Sequence, residues 1–111
     1  MFEDDEIRLR HILDAAFEAV SFTEGHRRED LDSDRKLSLS LVRLLEIIGE
    51  AARGITEEFR QEHSELPWKS MAGMRDRLIH GYFDVNLDVV WKTVTNDLPP
   101  LIEKLEKIVS T

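Results

Sequence analysis

An all-α bundle of about five helices, of the small single-domain kind, is the fold class this 111-residue chain predicts. Three observations carry that prediction. Apolar residues recur at three- and four-residue intervals through most of the chain, and the strict alternation of a half-buried strand is missing. Helix-starting and helix-stopping residues also fall where the periodic runs begin and end. One domain over residues 1–111 is expected, since this length supports one modest core and is too short for two ordinary ones.

The first segment, about residues 4–22, sets Leu9, Ile12, Leu13, Ala16, Phe17 and Val20 on one stripe, and its early acids suit the positive end of the helix dipole. Gly25 follows as a stop. The polar run HRREDLDSD then offers Asp32, Ser33 or Asp34 to cap a second helix over about 34–53. Leu37, Leu41, Leu44, Leu45 and Ile48 form its stripe, followed by Gly49 and the pair Ala51-Ala52. A helix-interior glycine costs about 1 kcal/mol relative to alanine. Its presence points to close approach of another helix, from this chain or from a second copy.

Gly54 ends that segment, and Thr56 caps a short helix that finishes near His63. Pro67 fits the first turn of a fourth helix, where a missing N–H has no partner to lose, and this helix yields at Gly81. Asn86 caps the last segment, where Val90, Trp91, Val94, Leu98, Leu101, Ile102, Leu105, Ile108 and Val109 keep one stripe across Pro99-Pro100. Either one kinked helix or two joined end to end, with Asp97 capping the second, satisfies that pattern.

Composition narrows the function classes. With 23 acidic against 15 basic residues the net charge is −8, which disfavours broad, sequence-independent nucleic-acid binding but leaves room for a small basic cluster. Without cysteine there is no thiol nucleophile, disulfide or cysteine-ligated zinc. His11, His26, His63 and His80 lack ligand-like spacing, so no metal is expected. The absence of a glycine-rich phosphate loop means that no ATP or other cofactor is expected to bind this chain unaided. The opening MFEDDEIRLR is unlike a signal peptide, and no apolar run approaches the ~20 residues that cross a bilayer. A soluble, cytoplasmic protein without a membrane partner is the expectation.

The reactive side chains gather in MRDRLIHGYF, residues 74–83. At about 100° per residue, Met71, Met74, Leu78 and Tyr82 share one side of a regular helix, with Ile79 and Arg75 at the stripe's edge. Asp76, His80, Gly73 and Arg77 fall on the other side, and Asp76 and His80 are spaced to pair. Arg75 and His80 are then about 140° apart, so a regular helix cannot aim both at one phosphate. Loosening near Gly81 or a second, symmetric copy of the segment would reunite them. Each residue also has a plain structural role open to it: Arg75 as a stem over apolar surface, His80 at a helix C-terminus, Tyr82 half-buried, Arg77 solvated.

The order Arg75-x-x-x-x-His80-x-Tyr82 resembles the R-x-x-x-x-H-x-Y signature of the HEPN superfamily, specifically its HepT-like toxins. The blocks IIGEAA (47–52), LPWKSMAGMRDRLIHGYFDVN (66–86) and VWKTVTNDLPPL (90–101) are similar to that family's blocks in the same order. The resemblance implies a helical homodimer with two motif copies facing a shared cleft, and metal-independent endoribonuclease activity. It implies that His80 moves the proton, that Arg75 holds the phosphate, and that Asp76, where many relatives carry asparagine, supports them. It implies RNA and not DNA as substrate, and as partner an MNT-type nucleotidyltransferase antitoxin that transfers AMP onto Tyr82. The rival expectation is a non-catalytic HEPN module that serves as substrate or scaffold for that partner.

Overall fold

The computed structural model describes the backbone of residues 3–80 and 84–109 and the side chains of 4–79 and 84–109. Its two long N-terminal helices, α1 (Glu3–Thr23) and α3 (Arg35–Gly54), pack along each other. A single turn, α2 (Asp30–Ser33), sits in the polar link between them, where only a cap was expected. Asp34 is that cap: its carboxylate accepts from the Leu37 N–H at 3.1 Å. In the same link the Asp30 carboxyl is held below its ordinary range, first by the Arg27 backbone N–H and then by the His26 ring.

The α1 stripe is rotated from the one the sequence suggests. Leu9, Ile12 and Ala16 are buried as expected, but Ala15 and Ala19 join them while Phe17 is 46% exposed. Two extra alanines at the seam let α1 lie closer to its neighbours, and the larger ring turns to solvent.

After α3 comes α4 (Glu57–Glu62), capped by Thr56, whose hydroxyl accepts from the Phe59 N–H at 3.2 Å. The cap is itself held. Asp5, in the first turn of α1 and fully buried, accepts from the Thr56 N–H at 2.9 Å and from its hydroxyl at 2.7 Å. Arg60 closes the opposite end of the corner by donating to the Ala52 and Arg53 carbonyls, the last acceptors of α3.

The segment carrying the reactive residues is shorter and more broken than one helix to Gly81. Pro67 stands just before α5 (Trp68–Ala72) and its carbonyl accepts from Met71. Gly73 interrupts the helix, and α6 (Met74–Leu78) ends three residues before Gly81. Ile79 is already extended, and the Leu78 carbonyl accepts from the Asn86 N–H at 2.7 Å instead of continuing the helix. A minimal antiparallel pair follows, β1 (Ile79–His80) with β2 (Asp84–Val85), in register Ile79 to Val85 and His80 to Asp84. Glycine at 73 and β-branched Ile79 are the local reasons, both being weak helix residues.

Asn86 caps α7 (Leu87–Lys92) by accepting from the Val89 N–H at 3.2 Å. The final stripe is one continuous but interrupted helix. A π-helical turn, Thr93–Asp97, runs directly into α8 (Leu98–Val109), so Asp97 does not cap a new helix. The Leu98 N–H reaches back to the Thr93 carbonyl, one residue further than in an α-helix, and this wider turn absorbs the donors missing at Pro99 and Pro100. The core runs through Leu9, Leu41, Leu45, Ile48, Leu78, Val90, Leu98 and Leu105. No described helix is long and apolar enough to cross a membrane.

Asp5→Ala should strip the α4 cap of its support and leave a part-buried N–H unpaired. Urea unfolding is expected to show a loss of about 1–3 kcal/mol, with Asp5→Asn losing less.

Candidate active site

Arg75 lies in α6, and its position is set by how closely α5 and α6 approach α3. Gly49 makes that approach possible: a Cβ there would stand 3.2 Å from the Met71 carbonyl oxygen and 3.5 Å from that of Ala72. Of the two sources left open for the helix packed on Gly49, the structure selects this chain's own. Ala52 is likewise buried inside the chain, and Ala51 packs partly against the same core.

On α3, Arg43, Glu46, Glu50 and Arg53 fall within about 80° of one another at 100° per residue, away from the Leu41, Leu45 and Ile48 stripe. They line a shallow groove of about 300 Å³ with Gly49, Ala72 and Arg75. Arg75 is roughly half exposed there, its Nε donating to Glu46 Oε2 at 3.3 Å. Asp76 Oδ1 lies 4.0 Å from an Arg75 terminal nitrogen, and Asp76 Oδ2 accepts from Arg53 at 3.3 Å. Charges therefore alternate across the two helices as Glu46, Arg75, Asp76, Arg53. The acids hold the guanidinium side by side with a second one without quenching either, since all four side chains keep access to water.

His80 occupies β1, beyond the helix end, so neither the 140° separation from Arg75 nor a helical pairing with Asp76 applies. Its side chain, and Tyr82 entirely, lie outside the described residues. The described partners of Asp76 are Arg53 and Arg75. The sequence reading missed Glu46 and Arg53 as neighbours of Arg75, although their three-, four- and seven-residue spacing with Arg43 and Glu50 on the polar side of α3 was a usable signal. Among the described residues no group of three His, Asp or Glu side chains is placed to hold a metal ion.

A helical bundle whose motif arginine lies on a broken helix that ends just before His80 agrees with the HEPN class that the sequence resembles. A family model described as "Ribonuclease HepT-like" matches residues 12–108. The chain belongs to this HepT-like family. It is 46% identical over 95 residues to a probable ribonuclease HepT of Thermococcus cleftensis, covering 82% of this chain and 86% of that protein. It is 43% identical over 100 residues to a candidate RNase of Caldanaerobacter subterraneus subsp. tengcongensis, covering 90% and 89%. A candidate RNase of Methanocaldococcus jannaschii is 36% identical over 101 residues, covering 91% and 84%. No solved structure matches the chain.

Two substitutions test this geometry by thermal or urea unfolding. Gly49→Val is expected to push α5 and α6 off α3 and cost about 1–3 kcal/mol. Asp76→Asn removes the charge from two exposed pairs, with Arg53 and Arg75, and should change stability by less than about 0.5 kcal/mol.

Proposed function

We propose that the chain is a metal-independent endoribonuclease, the toxin of a type VII toxin–antitoxin pair, acting in the cytoplasm as a homodimer of 1–111 units. The observation that carries the reading is the motif Arg75-x-x-x-x-His80-x-Tyr82 within a chain of the HepT-like family, with Arg75 presented at an open groove. Relatives named as ribonucleases support the substrate class.

His80 takes the proton from a ribose 2′-hydroxyl, a task suited to a group that titrates near neutral pH. The 2′-oxygen attacks the adjacent phosphorus, the bond to the 5′-oxygen breaks, and that oxygen receives a proton. Arg75 stays charged throughout and binds two phosphate oxygens through its planar fork. Asp76 supports the site by keeping Arg75 beside Arg53, which adds a second cation to the same edge. A two-fold partner would bring the His80 of one copy to the Arg75 groove of the other. The products are a 2′,3′-cyclic phosphate and a 5′-hydroxyl, and DNA, lacking the 2′-hydroxyl, is not cut.

Tyr82 is the regulatory residue. A nucleotidyltransferase antitoxin of the MNT type places AMP on its hydroxyl, and the added bulk and negative charge repel RNA from the cleft.

Purified protein in excess EDTA should cleave unstructured RNA and leave DNA intact, and His80→Ala should slow cleavage by about 10²–10⁴. RNA left whole, or cut equally by His80→Ala, would sink the nuclease reading. Co-expression with the partner should add the mass of one AMP, which Tyr82→Phe abolishes. Addition that survives Tyr82→Phe removes the regulatory claim.

A further inference from the structure

Beside the Arg75 groove, which it meets at Ala72, α4, the link 63–67, α5 and α6 border a larger groove of about 1140 Å³. Its floor is apolar, built from Leu66, Pro67, Trp68 and Ala72. The floor is also preformed. The Trp68 indole N–H donates to the His63 carbonyl at 2.9 Å, and its ring meets Phe59 edge-on at 5.9 Å between centroids. Asp76 and Arg77 of α6 form the edge of the groove next to the motif.

The charges around it are unequal. Of its two acids, Glu57 and Asp76, the second is paired with Arg53. Of its three cations, Arg60 is turned onto the carbonyls that end α3. Lys69 and Arg77 are exposed and have no ion-pair partner among the described residues. A second groove of about 310 Å³ shares Pro67, Ser70 and Arg77 with the first and adds Lys104 and one acid, Asp97, so the two form one path.

We propose that this path is a binding subsite for single-stranded RNA, with unpaired bases over the apolar floor and backbone phosphates on Lys69 and Arg77. Paired bases cannot lower their faces into such a floor, whereas single strands bind by combining base-face contacts with a cationic rim. A protein partner would also suit an apolar floor. Two unengaged cations in a chain of net charge −8, on an edge shared with the motif, favour a polyanion. The proposal rests on the ribonuclease reading for what becomes of the strand, but its binding is measured without cleavage.

The probe is a fluorescent 2′-O-methyl RNA of about twenty nucleotides, long enough to occupy a groove and unable to be cut by 2′-attack. It is titrated against the full-length protein over a series of salt concentrations. Lys69→Glu/Arg77→Glu is expected to raise Kd about tenfold or more and to flatten the salt slope by about 1.4, two phosphate contacts at 0.7 each. Lys36→Glu/Lys92→Glu changes the net charge equally at exposed positions outside the grooves and should raise Kd less than about threefold. Equal effects of the two double variants, no effect of the groove variant, or no binding by the wild type overturns the proposal. So does a groove variant that loses the nucleotidyltransferase but keeps RNA, which assigns the path to the protein partner. Circular dichroism of both variants confirms that the helices persist. Failure of metal-free cleavage with this binding pattern intact removes the nuclease reading and leaves the RNA path standing.

Discussion

The approach of α5 and α6 to α3 at Gly49 is the constraint on which the rest of the structure depends. A backbone carbonyl sits where any side chain on residue 49 would need room. Because the two segments meet backbone to side-chain-free backbone, α6 lies low enough on α3 for Arg75 to reach Glu46 and for Asp76 to reach Arg53. The helix-propensity cost of that glycine is small beside what it secures, which is the placement of the motif arginine against the polar edge of α3.

Electrostatics explain how an acidic chain can still present exposed cations. Most of its excess acid lies away from the Arg75 edge, where three arginines face Glu46, Glu50 and Asp76 in a locally balanced strip. Exposed pairs of this kind contribute little to folding. Their use is positional, because the carboxylates keep each guanidinium in place while leaving it open to water.

Much of the fold was legible because it depends on local signals. Asp34, Thr56 and Asn86 cap the helices that follow them, as short polar side chains before apolar runs suggest. The errors lie where a distant contact decides. Phe17 fits the α1 stripe by spacing, but Ala15 and Ala19 set the close seam and turn the aromatic ring out. Gly81 looked like the helix end, yet the Asn86 N–H claims the Leu78 carbonyl first. The π-helical turn was invisible to periodicity, since the stripe keeps its phase across the prolines while the hydrogen bonds widen beneath it. At the candidate site the motif was readable and its neighbours Glu46 and Arg53 were not, because they come from another helix and only tertiary packing delivers them.

The Asp5 to Thr56 contact reaches across 51 residues of chain. It ties the first turn of α1 to the cap of α4, so neither turn opens without breaking hydrogen bonds of the other. Amide protons at the start of α4 must therefore exchange with solvent in step with those it serves to anchor, and the two distant turns open as one cooperative unit. The first turn of a helix, ordinarily among its loosest parts, is here the latch on an interior corner.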